Sequence, residues 1–234
     1  MPPHEDGIDR PYIADGTENL TWRALEYILR PCCRKGTHRK FMQILHSLEQ
    51  FEGAGCVAAL GTFDGVHRGH AHLIGRAVEL AAARGLPSAA VTFDRHPLAL
   101  IRPESAPMPL TTNAEKEALM AALGLDVLIE QPFTRDFAAQ TGEEFLAQLC
   151  GALHPAAIVI GYNHTYGRFG RGDAALLRTL APHLHYEPVV LEPFVMDGAP
   201  VSSTRIRALL AAGDTKEAER LAGHALLLPE RRTL

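Results

Sequence analysis

The sequence predicts an α/β fold, an open, mostly parallel sheet with helices on both faces. Three observations carry that expectation. Short apolar runs of strand length alternate with helical repeats from Met42 to Leu221. Three of the strand ends run into exits rich in glycine or hydroxyls, which in such a sheet collect on one rim, where ligands bind. Hydrophobic residues make up 47% of the 234, enough for one substantial core but cramped for two full domains.

Residues 1–41 differ from the rest and form an extension of unknown role. Within it, residues 19–30 have the spacing of a short helix burying Leu20, Trp22, Leu25 and Ile28, ended by Pro31. The main domain is expected over residues 42–225, followed by a tail over 226–234. A short strand near Met42–His46 leads into the buried run Cys56-Val57-Ala58-Ala59-Leu60. A helical pattern opens at His70 and repeats at Leu73, Ile74, Ala77, Leu80 and Ala81, with Arg84-Gly85 as its stop. Ser88–Phe93 is a second apolar strand, and a proline-punctuated loop carries the chain to Pro107-Met108-Pro109. Thr112-Asn113-Ala114-Glu115 has capping-box spacing ahead of a helix over 116–123. Strands over 126–130, 156–160 and 186–191 alternate with helices over 142–149 and 174–180. Finally Val201-Ser202-Ser203-Thr204 introduces a helix reaching Leu210, Gly213 ends it, and Asp214 caps another to Leu221.

Composition narrows the function classes. The balance of 23 basic against 27 acidic residues gives a charge of −4, so no global basic field recruits nucleic acid and any polyanion site must be local. The four cysteines are an adjacent pair, Cys32-Cys33, with Cys56 in a strand and Cys150 at a helix end; no C-x-x-C spacing occurs. That pattern argues against a disulfide framework or a zinc site and fits a reducing compartment. No leader-like N-terminus and no stretch of ~18 apolar residues is present, so a soluble, cytoplasmic protein without a membrane association is expected.

The chemistry gathers at the first exit, Gly61-Thr62-Phe63-Asp64-Gly65-Val66-His67-Arg68-Gly69-His70. Strand, glycine-bearing loop and helix follow in order, the geometry in which backbone N–H groups and a helix dipole hold a phosphate. Gly69 permits close approach of the backbone, and His67 and His70, three residues apart, can donate to oxygens of one phosphate chain. Taken alone, H-x-G-H reads equally well as a tight turn with two solvated histidines. A second exit, Ser202-Ser203-Thr204-Arg205-Ile206-Arg207, offers hydroxyls at a helix start, with Arg207 one turn later able to aim a guanidinium at the same anion.

The ten-residue string resembles the G-x-F-D-x-x-H-x-G-H signature of the H-x-G-H nucleotidyltransferases, and F-D-G-V-H-x-G-H looks like the bacterial FAD synthetase branch. Val201 to Arg207 resembles that superfamily's I-S-S-T-x-x-R string. Thr92-Phe93-Asp94-Arg95-His96-Pro97 is similar to T-F-E-P-H-P, and Gly161-Tyr162-Asn163-His164-Thr165-Tyr166-Gly167 to G-x-[DN]-F-x-F-G, with His164 and Tyr166 for two phenylalanines. The resemblance implies a Rossmann-like fold of nucleotidyltransferase type that transfers AMP from ATP, with Mg2+ carried on the nucleotide, to FMN, giving FAD. It implies His67, His70 and Arg207 as catalytic residues, and Gly61, Thr62, Phe63, Asp64, Gly65, Gly69, Ser202, Ser203 and Thr204 around ATP. Asp64 is expected to order the loop, with a role near magnesium as the alternative. Phe93, Asp94, His96, Asn163, Tyr166, Gly167 and Asp173 are implied for the flavin, Asn163 at a ring edge and Tyr166 on a ring face, although these aromatics also read as plain core. The string G-x-G-R-x-L-G-F-P-T-A-N of the family's riboflavin kinase module is not found, so kinase activity is not expected. A sister nucleotidyltransferase with another phosphate acceptor, or a non-catalytic flavin- or nucleotide-binding homologue, remain the alternatives.

Overall fold

Strand β2, Cys56–Leu60, lies at the centre of the molecule, buried at every residue in this computed structural model, which describes residues 41–226. The expected helix over 19–30, the Cys32-Cys33 pair and the tail beyond Leu226 lie outside the described residues. Five strands join β2: β1 (Gln43–Leu45), β3 (Ser88–Phe93), β4 (Val127–Gln131), β5 (Pro155–Gly161) and β6 (Glu187–Leu191). They form one sheet in the order β1-β4-β3-β2-β5-β6, and every pairing is parallel. The chain leaves β2 toward β3 on one side and later places β5 on the other. The strand order therefore reverses between β2 and β5, and a crevice opens at their carboxyl ends.

Period-two alternation along β2 divides the core into two layers. Ala58 and Leu60 face helices α5 (Gly142–Leu153) and α6 (Ala174–Leu184), where Phe145, Leu146, Leu149 and Leu177 are buried. Val57 and Ala59 face α1 (Arg68–Arg84), which buries Ile74, Ala77 and Ala81, and Met120 of α3 (Asn113–Ala122). Small residues in β2 let both helical layers approach the sheet closely. A third cluster unites Leu110 and Val201 with α7 (Ser203–Ala211) and α8 (Thr215–Ala222) through Ile206, Ala218 and Leu221.

The expected α/β architecture is thus present, with adjustments at the element ends. Helix α1 starts at Arg68 rather than His70, because the His67 ring accepts the His70 N–H and caps the helix two residues earlier. The capping box at Thr112 and Glu115 is formed, and a second one links Thr141 and Glu144 ahead of α5. Two short helices, α2 (Pro97–Ile101) and α4 (Arg135–Ala139), and a two-strand ribbon, β7 (Val195–Met196) with β8 (Ala199–Pro200), were not anticipated. Each is too short to display a hydrophobic period.

Candidate active site

A cleft of about 1320 Å³ occupies the rim above the carboxyl ends of the strands, lined by the loops after β2, β3 and β5 and by the start of α7. The loop after β2 reaches it through an unusual backbone. Phe63 and Val66 have φ of 48° and 33°, and Phe63 is wholly buried against His70, ring centroids 5.4 Å apart. Gly61 must be glycine, since a Cβ would stand 2.9 Å from the Phe63 ring. At Gly69 a Cβ would crowd the His67 ring at 3.2 Å and the Val201 carbonyl at 3.3 Å, so this glycine lets the two strings come together.

Asp64 ties those strings into one structure. Its Oδ1 accepts the Leu110 N–H at 2.9 Å, its Oδ2 is paired with the Arg207 guanidinium, and its carbonyl accepts the Ser203 hydroxyl at 2.9 Å. Arg207 also donates through Nε to the Met108 carbonyl at 2.9 Å. With both carboxylate oxygens committed, Asp64 orders the loop, as its sequence position suggested. Ser202 accepts the Arg205 N–H and caps α7, and Thr204 is exposed at its first turn. Gly65 lies outside the cleft lining: its N–H donates to Thr111 Oγ1 at 3.3 Å, and its carbonyl accepts from His224 Nε2 at 2.7 Å.

The two histidines are stacked rather than splayed, with centroids 3.7 Å apart and rings 14° from parallel. His67 Nδ1 accepts the His70 N–H at 3.2 Å, which leaves Nε2 as its proton-bearing nitrogen. Burial pushes His67 down to about 4, and burial together with the neighbouring His67 and His164 holds His70 well below the ordinary imidazole range. His70 Nδ1 is buried without a hydrogen-bond partner. A phosphate oxygen at these rings would offer that nitrogen a partner and favour its protonated form.

The other side of the cleft is aromatic. Phe93, at the end of β3, stands against Phe133 at 4.9 Å and Phe137 at 5.6 Å, and the row continues through Phe145 to Tyr166 and His164. Several residues implied for the flavin are engaged otherwise. Asp94 Oδ1 accepts the Phe133 N–H at 2.9 Å and Oδ2 pairs with Arg95; burial raises this carboxyl, but those donors outweigh it and leave it below its usual range. His96 caps α2 by accepting the Leu98 N–H, and the charges it feels are those of Asp64 and Arg207, which sets it toward the phosphate side. Asp173 caps α6 through the N–H groups of Ala175 and Leu176, outside the cleft lining.

Tyr166 belongs to the core: it is 7% exposed, packed against Phe145 and His164, with its hydroxyl donating to the Asp173 carbonyl at 3.1 Å. It nevertheless borders the cleft, so its part toward a flavin is that of a buried ring with little exposed face. Gly167, at φ 70°, lets this loop press against the backbone of Gly142, where a Cβ would come within 2.5 Å. Of this group, Asn163 alone is both exposed and in the cleft lining; Phe93, His96 and Gly167 line it half-buried, and Tyr166 lines it buried.

Sequence reasoning missed four contributors. Phe133, just ahead of α4, and Phe137, within it, line the aromatic wall from a segment with no visible period. His224, a lone histidine after α8, reaches back to the Gly65 carbonyl. Lys116, 6% exposed, donates to the Phe93 carbonyl at 3.2 Å and pairs with buried Glu130 at 3.7 Å, under the exit of β3.

Residues 49–205 match the family model for FAD synthetase. The chain is 33% identical over 193 residues to the bifunctional riboflavin kinase/FMN adenylyltransferase of Escherichia coli strain K12, an overlap covering 82% of this chain and 62% of that protein. It is 34% identical over 181 residues to the protein of the same description from Bacillus subtilis strain 168, covering 76% and 56%. The chain thus spans somewhat over half the length of these relatives. Among solved structures it is similar to one described as a macrolide-efflux protein from Streptococcus pneumoniae, with a TM-score of 0.67 and 26% identity, covering 79% of this chain and 60% of that one.

Proposed function

Because this chain belongs to the FAD synthetase family, we propose that its cleft transfers AMP from MgATP to FMN, giving FAD and pyrophosphate. The observation that carries the reading is the junction at Asp64. Arg207 and Ser203 from α7 meet the loop of His67 and His70, so two strings that each suit a phosphate border one cleft. Across it stands the wall of Phe93, Phe133 and Phe137, apolar enough to take a flat ring system.

In this reading an oxygen of the FMN phosphate attacks the α-phosphorus of ATP in line. The new P–O bond forms as the bond to the β-phosphate oxygen breaks, and pyrophosphate leaves. No protein nucleophile is needed, and catalysis rests on positioning and charge stabilisation. His67 and His70 donate to the ATP phosphates at the reacting centre. Arg207, Ser203 and Thr204 hold the leaving pyrophosphate, so Arg207 shares or exchanges its Asp64 partner when nucleotide arrives. Asn163 contacts the edge of the flavin. Magnesium would enter as part of the nucleotide, carried on its phosphates. No helix among the described residues is long and apolar enough to cross a membrane.

The test is incubation with FMN and MgATP, followed by chromatographic separation of the flavins. FAD formed with FMN, and no product with riboflavin, is the expected result. No FAD at saturating substrates overturns the reading in favour of another phosphate acceptor or a binding role.

A further inference from the structure

Phe169 presents an aromatic ring to the cleft at a cost that packing does not explain. It is 79% exposed, so it buries little, yet its backbone holds φ 58° and ψ 19°, the left-handed region that aromatic residues avoid. Its neighbours Gly167 and Gly170 adopt similar φ values, 70° and 65°, without strain. A glycine would therefore serve this turn better than phenylalanine does. Strain retained at the edge of a binding cleft points to use by a ligand.

The surroundings say which ligand. The Arg168 N–H donates to the Gln140 carbonyl at 2.6 Å, which fastens the loop to the end of α4, the helix that carries Phe137. Phe169 thus belongs to the aromatic side of the cleft, away from the phosphate strings. The Arg168 guanidinium lies 4.8 Å from the Phe169 ring centroid and that of Arg171 6.0 Å, so two cations flank one exposed ring. An exposed ring beside two guanidiniums suits a flat aromatic system that bears an anionic group.

We propose that Phe169 is a specificity-determining residue for the acceptor, stacking on its fused aromatic ring while Arg168 and Arg171 favour an acceptor that carries a phosphate. The proposal rests on the FMN reading given above, and it adds a contact that the sequence strings did not contain.

The test measures FMN affinity by flavin fluorescence and MgATP affinity by calorimetry in Phe169→Ala, Phe169→Gly and Phe169→Trp. Loss of the ring in the first two is expected to weaken FMN by roughly tenfold, the scale of aromatic stacking, with MgATP unchanged. Phe169→Trp keeps a stacking face and holds FMN near wild type. Phe169→Gly also relieves the backbone and melts no lower than wild type. Unchanged FMN affinity in Phe169→Ala, weakened MgATP in its place, or a markedly lower melting temperature in Phe169→Gly each overturns the proposal. Wild-type protein that neither binds FMN nor forms FAD overturns the functional reading and this inference together; FAD formation with unaltered FMN binding in Phe169→Ala overturns this inference alone.

Discussion

The imidazoles of His67 and His70 lie face to face, 3.7 Å between centroids, with the His67 Nδ1 turned back to cap the helix that carries His70. Such a stack suits two neutral rings, and burial keeps them neutral. The pair is therefore a source of pH-dependent stability.

In the unfolded chain His67 titrates near 6.5 and in the fold near 4. Between these values the unfolded state binds more protons, so the contribution is complete above about pH 6.5 and is lost as the pH falls toward 4. His67 alone accounts for about 3 kcal/mol of that loss. Denaturant midpoints taken from about pH 7.5 down to about pH 4.5 should fall accordingly. In His67→Asn, which retains a capping side chain, the slope should be shallower; equal slopes in the two proteins contradict the assignment.

His70→Ala and Arg207→Ala should each lower FAD formation more than tenfold, since a lost positioned donor costs ~2.7–4 kcal/mol of barrier. Arg207→Ala should also melt below wild type, because it removes the ionic partner of the half-buried Asp64 carboxylate. Steady-state rates with thermal melts decide it, and wild-type turnover in either variant refutes the roles.

Tyr166→Phe should cost about 1 kcal/mol of stability through the lost bond to the Asp173 carbonyl while leaving FMN affinity near wild type. Asn163→Ala should weaken FMN by about 1 kcal/mol or more and spare ATP. Separate titrations with the two substrates check both. Weakened ATP with FMN spared would move the Asn163 loop to the nucleotide side.

Lys116 and Glu130 should behave as a unit. Burial lowers the lysine and raises the glutamate, and each charge offsets part of that effect on the other. Lys116→Met alone strands a buried carboxylate and should cost ~3–5 kcal/mol, whereas adding Glu130→Gln should recover much of it. Urea denaturation of the single and double variants tests this. Additive losses would mean that the pair does not interact.

The strands and the two phosphate strings were legible in the sequence because their requirements are local. A buried parallel strand needs an apolar run, and an anion site at a helix start needs glycines, histidines or hydroxyls within a few residues. The aromatic side was harder to read. A carboxylate such as Asp94 or Asp173, or an imidazole such as His96, looks the same in sequence whether it meets a ligand or caps a nearby N–H. The burial of Tyr166 was hidden for a related reason, since it depends on Phe145 and Gly172, which the loop string does not reveal. Phe133, Phe137 and His224 enter from segments whose only signal is tertiary.

The bond between Asp64 and Arg207 also sets a timetable for synthesis. The two residues are 143 positions apart. At about 5–20 residues per second, the ribosome finishes the phosphate loop roughly 7–30 s before it adds the arginine. Throughout that interval the nascent chain carries Asp64 without its partner. The loop can hold its contact to Leu110 in that time, but it is closed onto α7 only in chains translated past Arg207.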